Sequence, residues 1–73
     1  MKPEDFELFS TLVRQRSGLV LSTDKAYLLE SRLLPVARKH NLKSLEEMAA
    51  SLRVRRDEVL MFDITEAMTT NES

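Results

Sequence analysis

Seventy-three residues, 42% of them apolar and 32% charged, describe one globular domain rather than a disordered segment. The absence of cysteine excludes a disulfide framework and a thiolate zinc site, and a single histidine, His40, is too few for a His-rich metal cluster. A net charge of −1 argues against a nucleic-acid binder, acids in the first turn exclude a secretory signal, and no apolar run approaches the roughly 18 residues of a membrane span.

The charge is unevenly placed. Residues 14–43 carry Arg14, Arg16, Lys25, Arg32, Arg38, Lys39 and Lys43 against only Asp24 and Glu30, and both flanks are net acidic. A positive middle with acidic flanks points to an anionic partner on one face.

With one glycine, two prolines and no alternating strand pattern, the chain is expected to be all-α, a small bundle-like domain of four helices on short loops. Pro3, Glu4 and Asp5 open a first helix, the proline where its missing N–H is harmless and the acids at the positive end of the dipole. Phe6, Leu8, Phe9, Leu12 and Val13 share one face, and Gly18 is the natural stop. Leu19-Val20-Leu21 reads as an apolar tie back across the core. Ser22, Thr23 and Asp24 offer N-cap oxygens to a second helix running from about Asp24 to His40. Its apolar side is Ala26, Leu29, Leu33, Leu34 and Ala37, with Tyr27 and Val36 at the margins and Pro35 as the expected kink or break. Asn41-Leu42-Lys43 turns the chain, and Ser44 with Glu47 forms a capping box for a short helix through Met48, Ala49 and Leu52. Residues 53–56 form a polar joint. A last helix begins near Asp57 and carries Val59, Leu60, Phe62, Ile64, Ala67 and Met68.

Several residues at the helix margins have ordinary readings. His40 is expected to cap carbonyls or face solvent, and Asp63 to be partly buried and paired. Met48, Met61 and Met68 read as core filler. Arg53, Arg55 and Arg56 read as a solvated joint more readily than as a phosphate cradle.

Certain features stand in a fixed order: Phe6, Phe9 and Leu12, then Gly18-Leu19-Val20-Leu21, Lys25, Ser31-Arg32-Leu33, the Leu42-Lys43-Ser44 turn, and Ile64-Thr65 leading to Met68-Thr69-Thr70-Asn71-Glu72-Ser73. In that order and spacing the chain resembles the N-terminal helical domain of the chemotaxis receptor methyltransferases, the CheR family, over essentially its whole length. The resemblance implies that residues 1–68 are an all-α receptor-recognition domain. Residues 69–73 then start the segment leading to an absent α/β methyltransferase domain, so the chain is expected to be the front part of a longer protein and inactive alone.

The activity implied is transfer of a methyl group from S-adenosylmethionine to glutamate side chains on the cytoplasmic helices of chemoreceptors. The acceptor carboxylate, with a reference pKa near ~4.3, is already an anion at neutral pH, so orientation rather than base catalysis is the main demand. Asn71 and Ser73 match the family positions that contact the cofactor, and an amide and a hydroxyl suit its polar amino-acid end. Lys25, Arg32 and Lys39 recur every seven residues along the second helix, with Arg38 and Lys43 nearby. In the family this basic helix faces the acidic methylation region of the receptor, so all five are expected to steer and bind that partner. A structural alternative for Arg32 is to pin the fold through a carboxylate such as Asp63 or Glu66.

Two other functional classes remain at this level. One is a regulatory module whose basic surface binds a response regulator or a cyclic dinucleotide and controls an attached enzyme. The other, nucleic-acid binding, lacks a helix-turn-helix pattern and aromatics interleaved with the basic residues. A cytoplasmic protein without membrane insertion is expected.

Overall fold

Pro3 occupies the first position of α1 (Pro3–Ser17), with Glu4 and Asp5 in its first turn and Arg14 and Arg16 in its last, in a computed structural model that describes residues 1–69. The helix stops at Gly18, whose φ of 82° is left-handed and whose N–H donates to Arg14 O at 2.8 Å. An L side chain rarely tolerates that backbone, which is why glycine stands here.

The chain then crosses to a short 3-10 turn (Thr23–Lys25) and enters α2 (Ala26–Lys39). Ser22 does not cap the backbone; its hydroxyl donates instead to the Asp24 carboxylate. The expected apolar tie is a surface crossing. Val20 is 73% and Leu19 37% exposed, and only Leu21 packs against the core. Three consecutive side chains in an extended segment cannot all point inward, so the run of apolar letters overstated its burial.

Pro35 does not end α2, which continues four residues beyond it. Pro35 and Ser31 both lie on the exposed face, so water can serve the Ser31 carbonyl deprived of its donor. The helix closes in a Schellman arrangement: Leu42 N–H donates to Ala37 O at 2.7 Å and Asn41 N–H to Arg38 O at 3.1 Å. Asn41, at φ 61°, takes the left-handed position that asparagine tolerates better than most residues.

Ser44 caps α3 (Leu45–Val54), its hydroxyl accepting from Glu47 N–H at 3.2 Å as the capping-box spacing predicts. Asp57 caps α4 (Glu58–Thr69), its Oδ1 accepting from Val59 N–H at 3.0 Å and Leu60 N–H at 3.4 Å.

The domain is all-α as expected. The helices form a ring in which α1 and α2 each touch both α3 and α4. The interior draws on every helix: Phe9 and Val13, Leu29 and Leu33, Met48, and Ile64 are fully buried. Each such side chain contributes about 1.5–3 kcal/mol by leaving water. Two assignments change faces. Val36 is buried at 8% exposure while Leu34 is 40% exposed, and on α4 the buried stripe is Leu60, Met61, Ile64 and Met68, leaving Val59 and Phe62 outside. At 100° per residue these four span about 100°, and Val59 and Phe62 fall beyond its edge.

One buried carboxylate was not anticipated. Asp5 is 2% exposed and sits 3.1 Å from Arg53 Nη1, tying the start of α1 to the end of α3. Arg53 is therefore part of the fold, not of a solvated joint.

Candidate functional site: the basic face of the second helix

α2 presents three distinct edges, set by its 3.6-residue period. Leu29, Leu33, Val36 and Ala37 face the core. Opposite them Tyr27, Ser31, Leu34, Pro35 and Arg38 fall within an arc of about 100° and are all exposed. Between these lies the edge carrying Arg32 and Lys39, and that edge meets α4.

The seam between α2 and α4 is polar. Arg32 is half-buried, and its Nη1 donates to Ala67 O at 3.2 Å in the last turn of α4. Four residues earlier, Asp63 Oδ2 lies 2.7 Å from His40 Nε2 and 3.4 Å from Lys39 Nζ. The His40 hydrogen bond, above all, holds the Asp63 carboxyl below its ordinary range; burial works against this and Lys39 assists it. An ionised carboxylate only accepts, so the proton at this contact sits on Nε2. His40 thus clamps α4 to the end of α2, where the sequence suggested a carbonyl cap or a solvent-facing ring. The pairing expected for Asp63 is present.

The five basic residues expected to bind a partner differ in what they contact within the domain. Arg32 and Lys39 are engaged with α4, although Lys39 keeps 69% of its side chain in solvent. Lys25 is exposed at the end of the 3-10 turn, and its charge helps the Ser22 hydroxyl depress the Asp24 carboxyl. Arg38 and Lys43 are exposed, and among the described residues their side chains form no hydrogen bond or ion pair. Arg38 shares its face with Tyr27, 64% exposed, and with Leu34. Lys43 borders a surface cleft of about 200 Å³ with Leu34, Glu30 and Ser44. The free cations therefore stand beside exposed apolar surface, a combination the charge count alone did not reveal. Asn71 and Ser73, the expected cofactor contacts, lie outside the described residues. No group of metal-binding side chains occurs among the described residues.

This arrangement, four helices with a glycine stop before the crossing and a basic second helix, accompanies a direct family match. Residues 4–63 match the model of the CheR methyltransferase all-alpha domain. The chain belongs to the CheR family. Chemotaxis protein methyltransferase 1 of Pseudomonas aeruginosa is 36% identical over 69 residues, covering 94% of this chain and 25% of that protein. The chemotaxis protein methyltransferase of Vibrio parahaemolyticus is 34% identical over 70 residues, covering 96% of the chain and 26% of that protein. Chemotaxis protein methyltransferase 1 of Vibrio cholerae is 33% identical over 70 residues, with the same coverage. The chain thus spans about a quarter of the length of these curated CheR relatives. No solved structure matches it. No helix among the described residues is long and apolar enough to cross a membrane.

Proposed function

We propose that this CheR domain is the substrate-recognition part of an S-adenosylmethionine-dependent methyltransferase that esterifies glutamate side chains on chemoreceptors in the cytoplasm. Residues 1–68 form the recognition domain, and residues 69–73 lead toward the domain that performs the transfer. The observation that carries the recognition role is the outer surface of α2 and the turn that follows it. Arg38 shares the exposed face of Tyr27 and Leu34, and Lys43 in the turn borders a cleft with Leu34. Neither cation is paired among the described residues, and Lys25 is exposed at the helix start. A receptor helix bundle rich in carboxylates offers both halves of a complement to it, charge for steering and side-chain stems for packing.

The cofactor supplies a methyl group already activated on a sulfonium. Transfer of that methyl from sulfur to a glutamate carboxylate oxygen would leave a neutral thioether, so no residue would have to move a proton. What the protein must contribute is alignment, worth of order 7–11 kcal/mol for well-oriented groups. Gripping the receptor through α2 is one part of that alignment, and Asn71 and Ser73 are assigned to the cofactor's polar end as the other.

The test is methylation of a receptor cytoplasmic fragment by the full-length parent protein with labelled S-adenosylmethionine. The product should release methanol in alkali, as a carboxyl ester does. Arg38→Glu with Lys43→Glu should lower kcat/KM for receptor by about 10-fold or more at low salt and by less at high salt. Unchanged methylation at low salt would remove α2 from the recognition role, and label stable to alkali would remove the glutamate ester.

A further inference from the structure

Residues of α1, α3 and α4 surround a cleft of about 290 Å³ to which α2 contributes nothing. Its floor is apolar, with Leu12 of α1 and Leu52 of α3, and its rim carries Thr11, Gln15, Arg53 and Arg56. The lining thus holds two cations and no carboxylate. The clefts beside Lys43 and Lys39 differ: the first includes Glu30 and Glu46, the second Asp63 and Glu66. Positive charge beside apolar surface, with no anion in the lining, favours an anionic occupant.

Both arginines are fixed at their bases. Asp5 takes Nη1 of Arg53 at 3.1 Å; the rest of that guanidinium has no partner among the described residues, and 45% of the side chain is in solvent. Arg56 stands at the apex of a tight turn closed by Asp57 N–H on Arg55 O at 3.0 Å. That turn is anchored on both sides, by Arg55 N–H on Ser51 O at 2.9 Å and by the Asp57 cap of α4. The Arg56 side chain is exposed and unpaired among the described residues. The Thr11 hydroxyl and Gln15 amide, four residues apart on one edge of α1, are likewise exposed and unpaired there. A guanidinium already ordered by Asp5 loses less freedom on taking a second carboxylate than a free one does. Asp5 neutralises one of the two charges, so Arg56 supplies the surplus.

The dimensions select the ligand class. Enclosed sites for drug-sized and cofactor-sized molecules run to about 300–1,000 Å³, and this cleft falls below that range. Its lining extends along α1 from Leu8 to Gln15, about 10 Å at 1.5 Å per residue, which an extended peptide covers in about three residues. Guanidinium groups take carboxylates in paired hydrogen bonds, an amide and a hydroxyl serve peptide N–H and C=O groups, and an apolar floor takes a side chain between them.

We propose that this cleft is a docking site for an acidic peptide segment of a partner protein, about three residues of extended chain in which carboxylates flank an apolar side chain. It lies apart from the α2 surface assigned to the receptor, and the inference does not depend on that assignment. Arg56 is the charge that selects the ligand, and Arg53 is the pre-ordered second donor.

The experiment is fluorescence anisotropy of the full-length parent with a fluorescein-labelled peptide of glutamates flanking a leucine pair, compared with the same peptide carrying glutamine for glutamate. The glutamate peptide should bind saturably, and several-fold more weakly when salt rises from about 50 to about 300 mM. The glutamine peptide should bind at least about 10-fold more weakly. Arg56→Glu should lower affinity for the glutamate peptide by about 10-fold or more. Thr11→Trp, which fills the cleft without changing charge, should do the same. Both positions are exposed, and melting curves recorded alongside separate lost binding from lost fold. Arg38→Glu with Lys43→Glu should leave affinity within about threefold. Absence of saturable binding by the wild-type parent would overturn the proposal, as would equal affinity for the glutamine peptide. Loss with the α2 pair and none with Arg56→Glu would move the peptide to the α2 surface and overturn it too. Displacement of the peptide by micromolar inorganic phosphate would overturn it in favour of a phosphate ligand.

Discussion

The ion pair between Asp5 and Arg53 is asymmetric, and the asymmetry predicts unequal mutational costs. Asp5 is 3% exposed in its side chain while Arg53 is 45% exposed, with the two 3.1 Å apart. Removing the arginine strands a carboxylate away from water, a situation that costs about 3–5 kcal/mol in a fully buried pair. Asp5 lies in the first turn of α1, where the helix dipole offsets part of that penalty, so about 3 kcal/mol is expected for Arg53→Ala. Asp5→Asn instead leaves a guanidinium that water already reaches, and should cost about 1–2 kcal/mol, the worth of one charged hydrogen bond.

The total stability of a domain this small is about 3–5 kcal/mol, so the arginine variant should be close to unfolding. Urea titration followed by circular dichroism at 222 nm separates the cases. With a slope of about 1 kcal/mol/M, Arg53→Ala should lose about 3 M in midpoint and Asp5→Asn about half of that. Once Asp5→Asn is present, Arg53→Ala should add little, giving a coupling of about 1.5 kcal/mol or more in the double-mutant cycle. Arg53→Lys should fall between wild type and Arg53→Ala. Equal costs for the two single variants, or a larger cost at Asp5, would refute the reasoning from burial.

The Asp63 carboxyl is held below its ordinary value of 3.8, first by His40, so its contribution to stability is fully present above that value and is lost as pH falls through the lower folded-state pKa. Asp63→Asn should therefore flatten the acid limb of a melting-temperature profile recorded from pH 5 downward. Gly18→Ala meets no atom within 4 Å of the added carbon, so its cost of about 1–2 kcal/mol comes from the left-handed backbone alone. That should appear as a fall of roughly 4–16 °C in calorimetry. Pro35→Ala restores an N–H opposite the Ser31 carbonyl on an exposed helix face, and a gain of about 1–2 kcal/mol is expected in urea titration after the unfolded chain's added entropy is deducted.

Local rules were enough for most helix boundaries. Gly18, Ser44 and Asp57 each act through groups within four residues of themselves, so their roles follow from the order of letters. The core positions Phe9, Leu29, Leu33 and Ile64 likewise follow from a 3.6-residue period. The family followed from motifs in fixed order, which a linear string carries in full. The sequence could not name the partners of residues whose fate depends on what a neighbouring helix presents, even where, as for Asp63, it indicated that a partner exists. His40 and Asp63 are 23 positions apart, Arg32 and Ala67 are 35, and no period links them. Val36 and Leu34 both lie near a margin of the apolar face, and which of them is covered depends on where α4 packs.

Taken by itself, then, the order of residues determined that this chain is four short helices, where most of them begin and stop, and to which family it belongs, because caps, turns and amphipathic spacing are short-range properties. The tertiary structure decided which cations are spent inside the molecule and which remain for a partner. Charge is a property of the letter, but its availability depends on a carboxylate or carbonyl brought within about 3 Å from a distant part of the chain.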